Sequence, residues 1–291
     1  MKSFRLPVYS ILILIFLGSG CLPNKKLTVG AAGTLLEDVA KASSKQSDLK
    51  MIREGMPAYL MLMDGMIEAW PDNELILIAA ARGYSSFAFL IEDDQDREYA
   101  RFILGKGKRY ALQSLELRGL KEPLQRPFDE FKEDLKVFGK KDVPYLFWSA
   151  TCWANWINLN LDSIEAMAEL PRVEWMMQRV LELDEGFYYG GPHLFMGIWY
   201  ASRPKIAGGD LQKAQEHFLK ALNLGQGKFL MAYVYYAKYY ARNMMDKELF
   251  TSILQKVLET PANTSPDLVL VNTVAKKQAK ELLSHVEEYF E

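Results

Sequence analysis

The run Met196-Gly-Ile-Trp-Tyr200, followed by Gly208-Gly-Asp-Leu-Gln-Lys-Ala-Gln-Glu-His-Phe-Leu-Lys-Ala221, decides the fold. The first part is an aromatic-rich helix carrying a glycine, with Tyr200 three residues after Gly197. The second opens after a two-glycine turn at Asp210 and sets Ala214, Phe218 and Ala221 along one side of a helix. Two helices cross closely only where a side chain at the crossing is nearly absent, so Gly or Ala sits there and bulky neighbours fill the groove. This spacing matches a tetratricopeptide unit, with about five residues, Arg203–Ala207, inserted before the second helix.

The same pattern returns along the chain. One copy has Ala80, Ala81 and Tyr84, led by Pro71-Asp-Asn73; another has Tyr233, Tyr236, Ala237 and Tyr240, followed by a helix over Asp246–Glu259 and then Pro261. Ala58, Leu62 and Gly65 repeat the second-helix spacing. Apolar residues recur at three and four, and alternating β-branched runs between turn signals are missing. The expectation is an all-α chain, a tetratricopeptide-like helical-repeat superhelix of about eleven or twelve helices with a concave face. Helix starts are predicted at the capping box Thr34-Leu-Leu-Glu37, at Asp72, at Asp162 with Glu165, at Asp210, and at Ser265-Pro266.

The beginning of the chain speaks of location. Lys2 and Arg5 precede the apolar run Val8–Leu17, then come Gly18, Ser19, Gly20 and Cys21. That is the layout of a secretory signal, shorter than the roughly 20 apolar residues a membrane-spanning helix needs. Small residues ending in cysteine resemble a bacterial lipobox, although Gly18 stands where leucine is usual. The domain plan is therefore a signal over 1–20, a lipidated Cys21 with a linker over 21–33, and one helical-repeat domain over 34–291. Three acyl chains on Cys21 would hold the protein on a membrane without crossing it, since each buried methylene contributes about 0.8 kcal/mol. Leu22, rather than Asp, after the cysteine fits outer-membrane sorting.

Composition excludes several classes. Removing 1–20 takes away Lys2 and Arg5 and no acid, leaving 33 Lys+Arg against 37 Asp+Glu, a net charge of −4. With no basic excess for phosphate contacts, nucleic acid is not an expected partner. Cys152 is the only cysteine besides Cys21, so it reads as a small buried apolar group. His193, His217 and His285 are scattered, with no HExxH or CxxC spacing for a metal, and no cofactor is expected. Gly105-Lys-Gly107-Lys-Arg109 lies in a helix-period stretch and lacks the length and Lys-Ser/Thr of a phosphate loop; Glu92-Asp-Asp-Gln-Asp96 lacks the glycine and distal glutamate of a calcium loop. No triad motif or Glu-Ser pair points to an enzyme.

Lys205-Ile-Ala-Gly-Gly-Asp-Leu-Gln-Lys-Ala214 leading into His217-Phe218-Leu-Lys-Ala221 resembles the T-component (TatT) family of tripartite ATP-independent periplasmic (TRAP) transporters. Met231–Tyr240, Asp246-Lys-Glu-Leu249 and the closing helix with Asn272 and Ala275–Phe290 are similar to it as well. The resemblance implies a periplasmic, membrane-tethered trimer that binds the substrate-binding P component and passes a small, apolar ligand to it. It brings no catalytic residues. The alternative function is a helical-repeat scaffold lipoprotein for outer-membrane or envelope assembly.

Two stretches are candidate contact sites. Phe187, Tyr188, Tyr189, His193 and Trp199 lie in Gly186–Tyr200, where glycines allow close approach and aromatics offer stacking area on an expected loop. Trp153, Asn155 and Trp156 combine flat apolar surface with one amide, enough to line a pocket with a polar handle. The competing reading of both stretches is packed core. The methionines Met56, Met61, Met63 and Met66 read mainly as core filling.

Overall fold

The computed structural model describes residues 25–91 and 97–291. These residues form helices joined by turns, with no strand among them. The elements are α1 (Lys25–Ser44), α2 (Leu49–Ala69), α3 (Glu74–Ile91), α4 (Arg97–Leu117), α5 (Phe128–Leu135), α6 (Val143–Leu159), α7 (Ile164–Ala168), α8 (Leu170–Asp184), α9 (Phe187–Ala201), α10 (Leu211–Leu224), α11 (Leu230–Tyr235), α12 (Lys247–Glu259), α13 (Val269–Ser284) and α14 (Val286–Phe290). α11 runs on into a π-helical turn over Tyr236–Ala241.

Neighbouring helices pack as antiparallel pairs, α3 on α4 and α9 on α10 most closely, and α3 also lies against α6. Glycine sets these crossings. A Cβ on Gly197 would stand 3.0 Å from the Phe218 ring, so α9 and α10 can meet only with hydrogen at that position. Gly107, in the middle of α4, has the same role against Tyr84, where an added Cβ would lie 3.1 Å from the Tyr84 Cβ. The Gly105–Arg109 segment is thus a helix-crossing element. Gly83 faces Leu60 of α2 at 2.9 Å by the same measure.

The capping chemistry follows elementary rules with small shifts in place. Asp210 accepts from the backbone amides of Gln212 and Lys213, as its spacing predicts. The cap of α3 is Asn73 rather than Asp72, and that of α7 is Ser163 rather than Asp162. At 265–268 a 3-10 turn comes first and α13 follows at Val269. Two expectations fail. Thr34 does not open a helix: α1 runs through it from Lys25, because Val29 and Leu36 both bury against α2 and α3 and keep the helix continuous. Nor do Ala58, Leu62 and Gly65 form a crossing. All three are exposed, and α2 packs through Leu60, Met63, Met66 and Ile67 instead. Met61 is likewise 74% exposed.

Three apolar cores result. One lies between α1, α2, α3 and α4, one between α4, α6, α8 and α9, and one around α9–α13. α3 has the length and composition of a membrane-crossing helix, yet it packs between α2, α4 and α6. α1 contacts α13 and the 266–268 turn, so the two ends of the described chain meet. The signal, Cys21 and the acidic run Glu92–Asp96 lie outside the described residues.

Candidate functional site

Between α8 and the regular part of α9 the backbone turns the wrong way. Tyr188 (φ 47°, ψ 57°), Tyr189 (φ 60°, ψ 37°) and Gly190 (φ 77°, ψ 24°) are consecutive left-handed residues. For a side chain bearing Cβ this costs roughly 1–2 kcal/mol per residue, so the surroundings must compel it. They do so on three sides. A Cβ on Gly190 would sit 3.0 Å from the Ala221 Cα, and one on Gly191 would sit 2.7 Å from the Phe147 ring. The Tyr189 hydroxyl donates to the Asp267 carboxylate. The Tyr188 ring stands edge-on to Trp148 at 4.8 Å and to Phe229 at 5.7 Å. Each such aromatic pair contributes about 0.5–1.5 kcal/mol beyond its buried area, enough together to offset the strain.

This turn therefore completes an aromatic wall. Phe187 packs on Phe147 at 5.1 Å, and Tyr189 lies 6.0 Å from Phe229. The exposed Arg82 of α3 lays its guanidinium 4.3 Å from the Trp148 ring centroid. Burial pushes the Tyr188 hydroxyl above its ordinary pKa, with the Arg82 charge opposing, so at neutral pH it stays protonated. The Asp267 carboxylate is held below its usual range by the Ser265 hydroxyl and then by Tyr189.

His193 points elsewhere. It is buried, with Nε2 3.0 Å from a Glu185 carboxylate oxygen and Nδ1 2.9 Å from Nδ1 of His217. Two nitrogens at that separation share one proton, so one ring donates and the other accepts. Burial, then the neighbouring His193, then Lys220 and Lys213 drive the His217 pKa down to about 4. The Glu185 carboxyl is lowered by its hydrogen bond to His193. Glu185 and His193 flank the left-handed turn, so their contact closes it like a clasp.

The remaining predicted residues part company. Trp199 is buried under the Arg203 guanidinium at 3.3 Å, away from Tyr188. Trp153 is wholly enclosed and donates its indole N–H to Glu169. Trp156 lies under the Lys108 ammonium at 3.6 Å. The two indoles thus box in the Lys108–Glu169 ion pair and do not line a pocket with Asn155. Asn155 is exposed and donates to the Ser85 hydroxyl at 3.0 Å, two helical turns along α6 from Trp148. So Phe187, Tyr188 and Tyr189 come together, and Asn155 stays apart from them on α6, against Ser85 of α3.

Sequence reasoning missed Arg82, Phe229 and Asp267. Arg82 had a signal: within α3 it is the single charge after Glu74 in a largely apolar helix that ends at Ile91. Phe229 and Asp267 are far from 188 in sequence and had none. Among the described residues no group of three His, Cys, Asp or Glu side chains is placed to hold a metal.

Comparison with known proteins bears on what this arrangement serves. An uncharacterized protein of Treponema pallidum (strain Nichols) is 22% identical over 270 residues, covering 87% of this chain and 84% of its own. The family model described as TRAP transporter T-component matches residues 45–290, which takes in every element from α2 onward. A T-component is an accessory of a transporter and not a known enzyme family. The chain belongs to the TRAP transporter T-component family.

Proposed function

We propose that this accessory protein docks the P-component solute-binding protein of its TRAP system and hands it a small, largely apolar ligand. The observation that carries the reading is the wall formed by Trp148, Phe187, Tyr188, Tyr189 and Phe229, held by a strained turn. Strain of this kind persists where surroundings over-determine it, and such places cluster at binding sites.

The rest of the proposal comes from the first residues and from the family resemblance. Cys21 is lipidated after removal of 1–20, the protein faces the periplasm on the outer membrane, and it works as a trimer of tetratricopeptide-like repeats. The deciding experiment is co-purification of the mature protein with the P component from the same cells, followed by native mass measurement. Expected results are a complex with the P component, a trimeric mass, and an N-terminal mass carrying acyl chains. A gene neighbourhood without TRAP genes, together with no P component in the pull-down, would overturn it and favour the envelope scaffold.

A further inference from the structure

Three neighbouring loops carry large apolar side chains into solvent. Leu161 and Ile164 lie in the connection from α6 to α8, and Ile164 is 83% exposed. Ile206, in the connection from α9 to α10, is 99% exposed. Met244 and Met245, in the connection from the π-helical turn to α12, are exposed as well. α9 returns antiparallel along α8, which brings its last residues beside the start of α8. On its other side the Asn243 amide donates to the Ala201 carbonyl at 2.7 Å, so the Ile206 loop stands between the other two.

The backbone fixes these tips. Ile206 sits in a 3-10 turn closed by the amides of Ala207 and Gly209 on the Pro204 carbonyl and by that of Gly208 on Lys205. A Cβ on Gly209 would stand 1.9 Å from the Arg203 carbonyl oxygen, so the loop folds back tightly on itself. Arg203–Ala207 is also the stretch inserted relative to a tetratricopeptide unit, whose two helices join without it. Met245 is held at φ 54°, with the next amide, that of Asp246, on the Ala241 carbonyl at 3.0 Å. Ser163 caps α7 directly before Ile164. A fixed apolar knob loses little freedom on entering a partner, and a row of them in water marks an interaction surface.

Position decides what covers the row. Near the start of α4, Arg101 holds the Leu159 carbonyl at 2.6 Å and Asp162 at 2.7 Å. Twelve residues on, about 18 Å along the helix, Gln113 reaches the Pro71 carbonyl. α1 begins at this second end, with Lys26 over the Trp70 ring at 5.7 Å. Lys25 is four residues past Cys21, a reach of at most about 14 Å, so an acylated Cys21 puts the membrane on the Trp70 side. Copies tethered to one bilayer close a ring only about an axis normal to it, so they meet along their flanks. The loops at the other end are then left for a protein arriving from the periplasm. We propose that Leu161, Ile164, Ile206, Met244 and Met245 form the seat of the P component, whose facing surface is an apolar hollow that takes Ile206 as its central knob. This deepens the docking reading above and rests on it and on the lipid anchor. α9 joins this seat to the aromatic wall, with the Tyr188 turn at its start and the Ile206 loop after its end.

The test is a binding titration of the purified mature protein with the purified P component of the same system. I206D is expected to weaken the complex roughly tenfold or more, and I206A a few-fold, as truncation of a central anchor does. I164D and M245D, on the loops to either side, should each weaken it less. L62D changes an exposed leucine on α2 and should leave the affinity as it was. Circular dichroism and the unfolding midpoint report whether each variant is folded; at a side chain 99% exposed neither should move. A double variant I206D/M245D that keeps the wild-type affinity, or equal weakening by L62D, would overturn this seat and leave the docking reading standing. No complex with the unaltered protein would remove both. Two further measurements separate other occupants. A lower oligomeric mass in I206D would assign the row to contact between copies, and weaker binding of I206D to phosphatidylethanolamine–phosphatidylglycerol vesicles would assign it to the membrane; either result overturns the proposal.

Discussion

Two junctions in this molecule are held by opposite means. Where α4, α6 and α8 meet, a charge is enclosed: Lys108 is 6% exposed and pairs with Glu169, with Trp153 and Trp156 around it. Where α9 meets α10 at Gly197, space takes the place of partners: the missing side chain makes room for Phe218. The first junction is specified by partners and the second by the absence of a side chain. Enclosing an ion pair is costly in itself, and desolvation lowers the Lys108 pKa in spite of Glu169, yet removing one partner is worse than either state. A glycine crossing has no such asymmetry. It fails in only one direction, by being filled.

The sharpest way to break this contrast is Glu169→Ala. It strands the Lys108 ammonium and the Trp153 indole N–H together, and a loss of about 3–5 kcal/mol is expected, read as a melting temperature lower by roughly 10 °C. Replacement by a residue that left stability unchanged would show that water already reaches Lys108. Next comes Gly197→Val, which drives a branched side chain into the Phe218 ring and should cost about 2–3 kcal/mol by urea unfolding. Adding Phe218→Leu should recover part of that loss, and strict additivity of the two changes would remove the claim of direct contact.

A third measurement sets the His193–His217 pair beside both junctions. The folded His217 pKa lies near 4, below the ordinary 6.5, so the unfolded chain takes up its proton first as pH falls. Its contribution is complete above pH 6.5 and drains away as pH drops toward 4. Allowing for partial exposure, about 1–2 kcal/mol should vanish over that window. Urea midpoints at both ends of the window should differ less in His217→Asn; an identical slope would place the titration elsewhere. The smallest effect is expected from Asp267→Asn, which weakens the acceptor for Tyr189 at a partly exposed site, by about 0.5–1 kcal/mol.

How much of this could be seen in the chain beforehand depends on how local each cause is. Gly197, Phe218 and the Asp210 cap lie within a few turns of one another, so their spacing alone carried the α9–α10 pair. The all-helical class followed for the same reason. Lys108 and Glu169 are 61 residues apart, and neither differs in type from a solvated surface charge. The α2 face showed the opposite failure: Ala58, Leu62 and Gly65 have the spacing of a crossing, but no helix among the described residues arrives to use it. For the candidate site, the Gly186–Gly191 segment announced an unusual backbone and a cluster of rings. It could not announce that two tyrosines, rather than the glycines alone, would take left-handed angles, because Phe147, Ala221 and Asp267 impose that from a distance.

The meeting of α1 with α13 and the 266–268 turn has a consequence for how the polypeptide acquires its shape. The earliest of the described helices to emerge during synthesis finds part of its resting place only after nearly the whole chain has followed. Contacts between such remote segments are late and slow to close, since most of the intervening length must already be ordered. Until then its uncovered leucines and valines invite other binders, and a helper that shields nascent segments would find its first customer there.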